Sequence, residues 1–173
     1  MKIILFLGYS GSGKTTSIYQ LTKALSSSGF RVGVIKHVHD KHLSLDKRGK
    51  DTWVYASAGA SIVAAASQND LAIFKKRSLA NVSINSLLRV FRQDSVDFAM
   101  VEGFYRSLSK RGGITRIMCA ESQKQASSLL RHHRRPVCIL SKQPKKWKDE
   151  SFKGIPLLSL PGDAQVLLKL IKA

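Results

Sequence analysis

The residues richest in chemistry lie in the run Gly8-Tyr-Ser-Gly-Ser-Gly13-Lys14-Thr15, which fits the spacing G-x-x-x-x-G-K-[ST] without a mismatch. A loop that wraps a phosphate must aim successive backbone N–H groups inward, and the conformations this needs are open mainly to glycine. Lys14 supplies a charge that reaches the terminal phosphates of a nucleoside triphosphate. Thr15 places a hydroxyl where a phosphate-bound Mg²⁺ would sit. A helix starting near Lys14 adds free N–H groups and a positive dipole end. The stretch therefore predicts a phosphate cradle made of Gly8, Ser10, Gly11, Ser12, Gly13, Lys14, Thr15 and Thr16.

Such a cradle needs an acid near the metal, and "VDFAMVEGF" offers Asp97 and Glu102. Five residues of strand separate them by about 16 Å. Ligands of a parallel sheet lie at the carboxyl ends of its strands, which is where Glu102 falls. Glu102 is the expected metal or water-shell residue, with Thr15 as its companion, and Asp97 the expected turn residue. The stretch Lys36–Asp51 opens at the same edge and carries Lys36, His37, His39, Asp40, His42 and Asp46. Its histidine spacing fits no familiar zinc pattern, so a solvent-facing polar loop, or one touching phosphate or substrate, is expected. Asp46 or Asp40 would orient an attacking water. Lys14, Asp46 and Glu102 are thus the candidate catalytic residues. Late in the chain, "LSKQP" places Lys142 where many GTPases carry Asn-Lys-x-Asp, and Lys142 could stack on a base although the aspartate is missing.

These residues need a scaffold. Lys2–Leu7 is a continuous apolar run of strand length, suited to a central parallel strand. Ile18, Leu21 and Leu25 mark one helical face, Gly29 a stop, and Arg31–Ile35 a second strand, making a right-handed βαβ unit. Further strands are predicted at Ser61–Ala66, Leu71–Phe74, Asp97–Val101, Arg116–Ala120, Val137–Leu140 and Ile155–Leu160. Helices are predicted over Asp51–Ala58, after Ser83, between Ala120 and Val137, and after Asp163. The alternation predicts one α/β domain over residues 1–173, a P-loop NTPase with a mostly parallel sheet flanked by helices.

Composition bounds the rest. Hydrophobic residues make up 43% of the 173 and charged residues 23%, a globular balance. No stretch reaches the roughly 18 apolar residues of a membrane span. The apolar start runs directly into the glycine loop with no small-residue cleavage site, and it reads as a strand. Cys119 and Cys138 lie in apolar segments and read as buried free thiols, so a cytoplasmic setting is expected. The net charge is +18, and Arg106–Lys153 alone holds thirteen basic and three acidic residues. Such a field attracts polyanions, or coats a solvated surface.

Taken together, "GYSGSGKTT", "RVGVIKHVHD", "DKRGKDTWVYASAGAS" and "VEGF" resemble, in order and spacing, the molybdopterin-guanine dinucleotide biosynthesis protein B (MobB) family. The likeness runs from about Met1 to Phe104. It implies a P-loop protein that binds GTP with Mg²⁺ and hydrolyses it weakly. It also implies an adaptor role when a guanine nucleotide is attached to molybdopterin, beside the guanylyltransferase that performs the transfer, and a homodimer. By position, Gly8–Thr16 would hold the phosphates, and Thr15 and Glu102 the Mg²⁺. Lys36, His37 and Asp46–Asp51 would face nucleotide or cofactor. Three features depart from the family pattern. Arg48 stands where a proline is usual, the loop is about a residue longer around Lys41–His42, and Tyr105 replaces a lysine after E-G-F.

Two other readings share the cradle. A small-metabolite kinase would bring arginines from Arg106–Arg116 over the phosphates and would transfer phosphate to an acceptor. A basic nucleic-acid-binding ATPase would show affinity falling steeply with salt. With only 8% aromatics, and Trp147 the one aromatic within a basic run, a stacking platform for nucleic acid is not expected. The basic C-terminal third could instead hold an anionic pterin dinucleotide or an acidic partner.

Overall fold

The computed structural model describes residues 1–38, 46–75, 82–147 and 149–172. Contacts divide the chain into two compact units, Met1–His37 with Ile84–Ala173, and Val38–Ser83.

The larger unit is a seven-stranded sheet. Its strands are β1 (Lys2–Leu7), β2 (Val32–Lys36), β5 (Phe98–Glu102), β6 (Ile114–Cys119), β7 (Cys138–Leu140), β8 (Ser151–Phe152) and β9 (Ile155–Leu158), in spatial order β2-β5-β1-β6-β7-β9-β8. All neighbours are parallel except β8 and β9. The helices are α1 (Lys14–Ser27), α3 (Ile84–Gln93), α4 (Tyr105–Leu108), α5 (Gln123–His132) and α6 (Ala164–Lys172). β1 reads as apolar throughout because both its faces are covered. Ile4 and Phe6 pack with Ile18, Leu21 and Leu25 of α1 and Leu167 and Ile171 of α6. Ile3, Leu5 and Leu7 pack with Ile84 and Leu88 of α3. A third cluster joins Met118 and Ile139 to Ala126 and Leu129 of α5 and to Trp147. The expected α/β P-loop architecture is therefore the one observed.

Local chemistry sets the ends. α1 stops where Gly29 (φ 82°) turns left-handed, with Gly29 N–H donating to Ser26 O and Phe30 N–H to Leu25 O, the paired bonds of a Schellman stop. Asp97 is a turn residue, as expected. Its Oδ2 accepts from Arg31 N at 2.8 Å, tying the entrances of β2 and β5 together. Asp163 precedes α6, and its Oδ2 accepts from Ser159 N at 2.7 Å. Three short elements lie outside the predicted set: α4, β8 and a 3₁₀ turn at Pro144–Lys146. Each is too short to show a period.

The smaller unit contains α2 (Asp51–Ser57) and the antiparallel hairpin of β3 (Ile62–Ala66) and β4 (Leu71–Lys75). Ser67 closes the expected turn, its N–H donating to Asp70 O and its Oγ accepting from Asp70 N. Register places Ile62, Ala64, Ala66, Leu71 and Ile73 on one face. Ile62, Leu71 and Ile73 are exposed there. Among the described residues no helix is long and apolar enough to cross a membrane.

Both cysteines are buried and free. Burial pushes the Cys119 thiol up to about 11 and raises that of Cys138 as well. A raised thiol pKa keeps both thiols in the neutral, unreactive form at neutral pH. Neither thiol of the native protein is therefore expected to react with a disulfide reagent at pH 8 on the minutes scale, while both react in denaturant. Fast modification of the native chain would show that the β6–β7 core opens.

Candidate phosphate-binding site

The apolar strand β1 delivers Gly8 to the carboxyl edge of the sheet, and α1 carries the chain away from it at Lys14. The turn between needs glycine at particular points. Gly11 (φ 76°) and Gly13 (φ 89°) are left-handed, and Gly13 is the N-cap of α1. A Cβ at Gly8 would lie 2.4 Å from Ser12 Oγ and 2.7 Å from the Cys119 carbonyl oxygen. One at Gly13 would lie 2.8 Å from Lys142 Cε. Tyr9 Oη and Ser128 Oγ share a hydrogen bond of 2.8 Å, tying the loop to α5.

Ser10, Gly11 and the run Gly13 to Thr16, with Lys36, Glu102 and Lys142, line a cavity of about 260 Å³. Three strands meet at this edge. β1 leads into the loop, β2 ends on Lys36, and β5 ends on Glu102 in register with Lys36. Lys14 Nζ donates to Gly8 O (3.1 Å) and Tyr9 O (2.8 Å) and pairs with Glu102 Oε1 at 3.8 Å. Lys142 Nζ donates to Gly11 O at 3.3 Å, so its methylenes lie over Gly13. Ser12 is buried, and its Oγ has no hydrogen-bond partner. Three ammonium groups, one carboxylate and a glycine cradle in one concavity suit a polyphosphate and an accompanying cation. Thr15 and Glu102 are the residues present that could hold Mg²⁺ by hydroxyl and carboxylate.

Glu121 was absent from the predicted set. It follows β6, and its Oε1 accepts from Lys142 N (3.2 Å) while its Oε2 accepts from Ser141 Oγ (3.4 Å). Ser141 Oγ in turn accepts from Gln143 N and from Trp147 Nε1. This network fixes the loop that carries Lys142. Its sequence signal is an acid immediately after a buried strand, at the edge where ligands bind. Trp147 is spent on that brace and on the core, at 8% exposure, so it offers no open stacking surface. Glu121→Ala is expected to weaken nucleotide binding about tenfold by freeing the Lys142 loop. Stability should fall by only about 1 kcal/mol, since two hydrogen bonds to a partly exposed carboxylate are lost. Paired titration and urea unfolding would measure both.

The remaining predicted residues fall elsewhere. His37 stands beside the cavity and does not line it. Its ring lies 4.8 Å from that of Phe104, its N–H donates to Glu102 O at 2.8 Å, and its Cβ backs Gly103. Asp46 belongs to the smaller unit, where its Oδ1 accepts from Lys47 N and Thr52 Oγ1, both at 2.9 Å, bracing the start of α2. Arg48 lies over the Trp53 ring at 5.7 Å. His39, Asp40 and His42 lie outside the described residues. Among the described residues no group of three His, Cys, Asp or Glu could hold a metal ion.

Comparison with known proteins bears on fold and lineage. The model of the family MobB, "Molybdopterin guanine dinucleotide synthesis protein B", matches residues 3–138. A putative molybdopterin-guanine dinucleotide biosynthesis adapter protein of Methanocaldococcus jannaschii is 33% identical over 133 residues, covering 77% of this chain and 53% of that protein. The adapter protein of Haemophilus influenzae is 41% identical over 97 residues, covering 56% and 53% respectively. The chain spans about half the length of the curated relatives it matches. Among solved structures, Bacillus subtilis MobB superposes with a TM-score of 0.76 at 21% identity over 98% of both chains. A MobB homolog from Bacillus stearothermophilus gives 0.71 at 20% over 99% of both. The structural likeness speaks for the fold, the sequence match for the lineage: this chain belongs to the MobB family of molybdopterin guanine dinucleotide synthesis proteins.

Proposed function

We propose that this chain binds GTP with Mg²⁺ and serves as an adapter when a guanine nucleotide is joined to molybdopterin. The observation that carries the reading is the convergence of Lys14, Lys36 and Lys142 on the glycine cradle, with Thr15 and Glu102 in the same cavity. In this reading residues 1–173 form one P-loop domain, with Val38–Ser83 inserted between β2 and α3. The loop N–H groups and Lys14 bind the phosphates, and Lys36 and Lys142 neutralise their remaining charge. Mg²⁺, held by Thr15 and Glu102, would offset the charge that develops on the phosphates. Glu102 and Thr15 would orient its shell. Among the described residues no arginine lines the cavity, which fits slow hydrolysis rather than rapid turnover.

The reading extends to a cytoplasmic homodimer working beside the guanylyltransferase. The exposed face of Ile62, Leu71 and Ile73 supports self-association, because a two-stranded hairpin with an open apolar face is weak alone. Sedimentation of the native chain should give twice the monomer mass, and Ile73→Asp should halve it.

The adapter role is tested by reconstitution. Purified guanylyltransferase, molybdopterin and GTP are incubated with and without this chain. Faster or more complete dinucleotide formation that is lost with Lys14→Ala supports the role. Equal yield with and without the chain overturns it. A phosphate transferred to a small-molecule acceptor would favour a kinase.

A further inference from the structure

A second concavity lies away from the phosphate cradle. Tyr105, Arg106, Ser109, Lys110 and His133 line a cavity of about 360 Å³ between α4 and the end of α5. The Tyr105 and His133 rings stand 6.1 Å apart, inclined at 54°. Arg106 and Lys110 are four residues apart and exposed, so both can reach one ligand.

Behind this cavity the charge is unbalanced. Arg116 is buried, at 6% exposure. Its guanidinium donates to Ser109 O (2.8 Å), Ile114 O (2.8 Å), Leu108 O (3.2 Å) and Arg111 O. All four acceptors are neutral carbonyls. Among the described residues the only ion pair is Lys14–Glu102, so no carboxylate pairs with Arg106, Lys110, Arg116 or Arg134. A buried cation without a counter-charge is costly. His133 adds a buried Nδ1 with no hydrogen-bond partner, and groups left so require an explanation. Burial, His132 and Arg116 hold the His133 pKa below its ordinary value, as expected in a field short of negative charge.

The geometry points to a second ligand site here, for a small phosphate monoester carried on a flat ring. The phosphate dianion would sit between Arg106 and Lys110, over the field of Arg116, and the ring against Tyr105. A concavity of this volume suits a molecule of that scale better than a polymer backbone. The site uses no residue of the phosphate cradle and does not depend on the nucleotide reading.

The test uses the full chain carrying Lys14→Ala, which silences the cradle, titrated with inorganic phosphate and with phenyl phosphate. The expected result is saturable binding, with phenyl phosphate at least about fivefold tighter than phosphate. Arg106→Ala with Lys110→Ala should weaken it about tenfold or more, as two charge contacts to a dianion are lost. Loss of all binding in Lys14→Ala, or binding indifferent to the double substitution, overturns the site. Should Lys14→Ala fail to fold, stoichiometry in the otherwise unsubstituted chain decides. Two phosphate sites that fall to one in the double variant support the proposal, and one site in both overturns it.

Discussion

Lys14→Ala is expected to lower affinity for a nucleoside triphosphate about a hundredfold or more. Lys14 Nζ is the cation at the centre of the loop, held between Gly8 O, Tyr9 O and Glu102 Oε1. Charge-assisted hydrogen bonds to phosphate are worth about 1.5–3 kcal/mol each, and each 1.4 kcal/mol is about tenfold in affinity. The loss should be larger for the triphosphate than for the monophosphate, because the lysine addresses the outer phosphates. Folding should suffer less. The removed bonds go to neutral carbonyls, and the Glu102 side chain, at 16% exposure, regains some water. A titration series with mono-, di- and triphosphates, paired with urea unfolding, separates the two effects. Affinity within threefold of the native value would mean that the lysine does not touch phosphate.

Gly8→Ala is expected to damage both stability and binding. The new methyl would meet the Cys119 carbonyl oxygen at 2.7 Å as well as Ser12 Oγ at 2.4 Å. The serine can rotate, but the carbonyl belongs to β6, a strand paired on both sides. Overpacking against fixed backbone costs about 1–3 kcal/mol, a fall of about 2–12 °C in a domain of this size. The loop must also shift outward, which turns its N–H groups from the phosphate. Gly11→Ala is the control. A Cβ there has nothing within 4 Å, so only its φ of 76° opposes the change. An unaltered Tm for Gly8→Ala would contradict the described packing of the loop on β6.

Much of this was legible in sequence because the signals were long or chemically specific. β1 is buried on both faces and reads as one apolar run. α1 shows its stripe and its glycine stop. Glu102 could be preferred over Asp97 because a parallel sheet binds at one edge only, and the structure puts Glu102 in the cavity and Asp97 at the entrance of its strand. Lys142 was found by its place after a late strand. Glu121 was not, because its role is a hydrogen bond across two strands that no local pattern encodes. Asp46 illustrates the converse. An acid in a polar loop looks like chemistry, yet its Oδ1 braces the turn into α2. α4 spans four residues, and β8 two, too few for periodicity.

The +18 charge has a partly local explanation. Arg92, Arg131, Lys169 and Lys172 occupy the last turns of α3, α5 and α6. Cations there complement the negative helix ends by about 0.3–1 kcal/mol each. Lys172 also covers the Phe30 ring at 4.5 Å. The cations around Arg116 have no such account, which is why they support a ligand.

The most direct measurement is calorimetric titration of the full chain with GTP, GDP and ATP, each with and without Mg²⁺. The account predicts GTP bound at least tenfold more tightly than ATP, with affinity falling on Mg²⁺ removal and abolished by Lys14→Ala. ATP bound as well as GTP, or no nucleotide bound by well-folded protein, would contradict it.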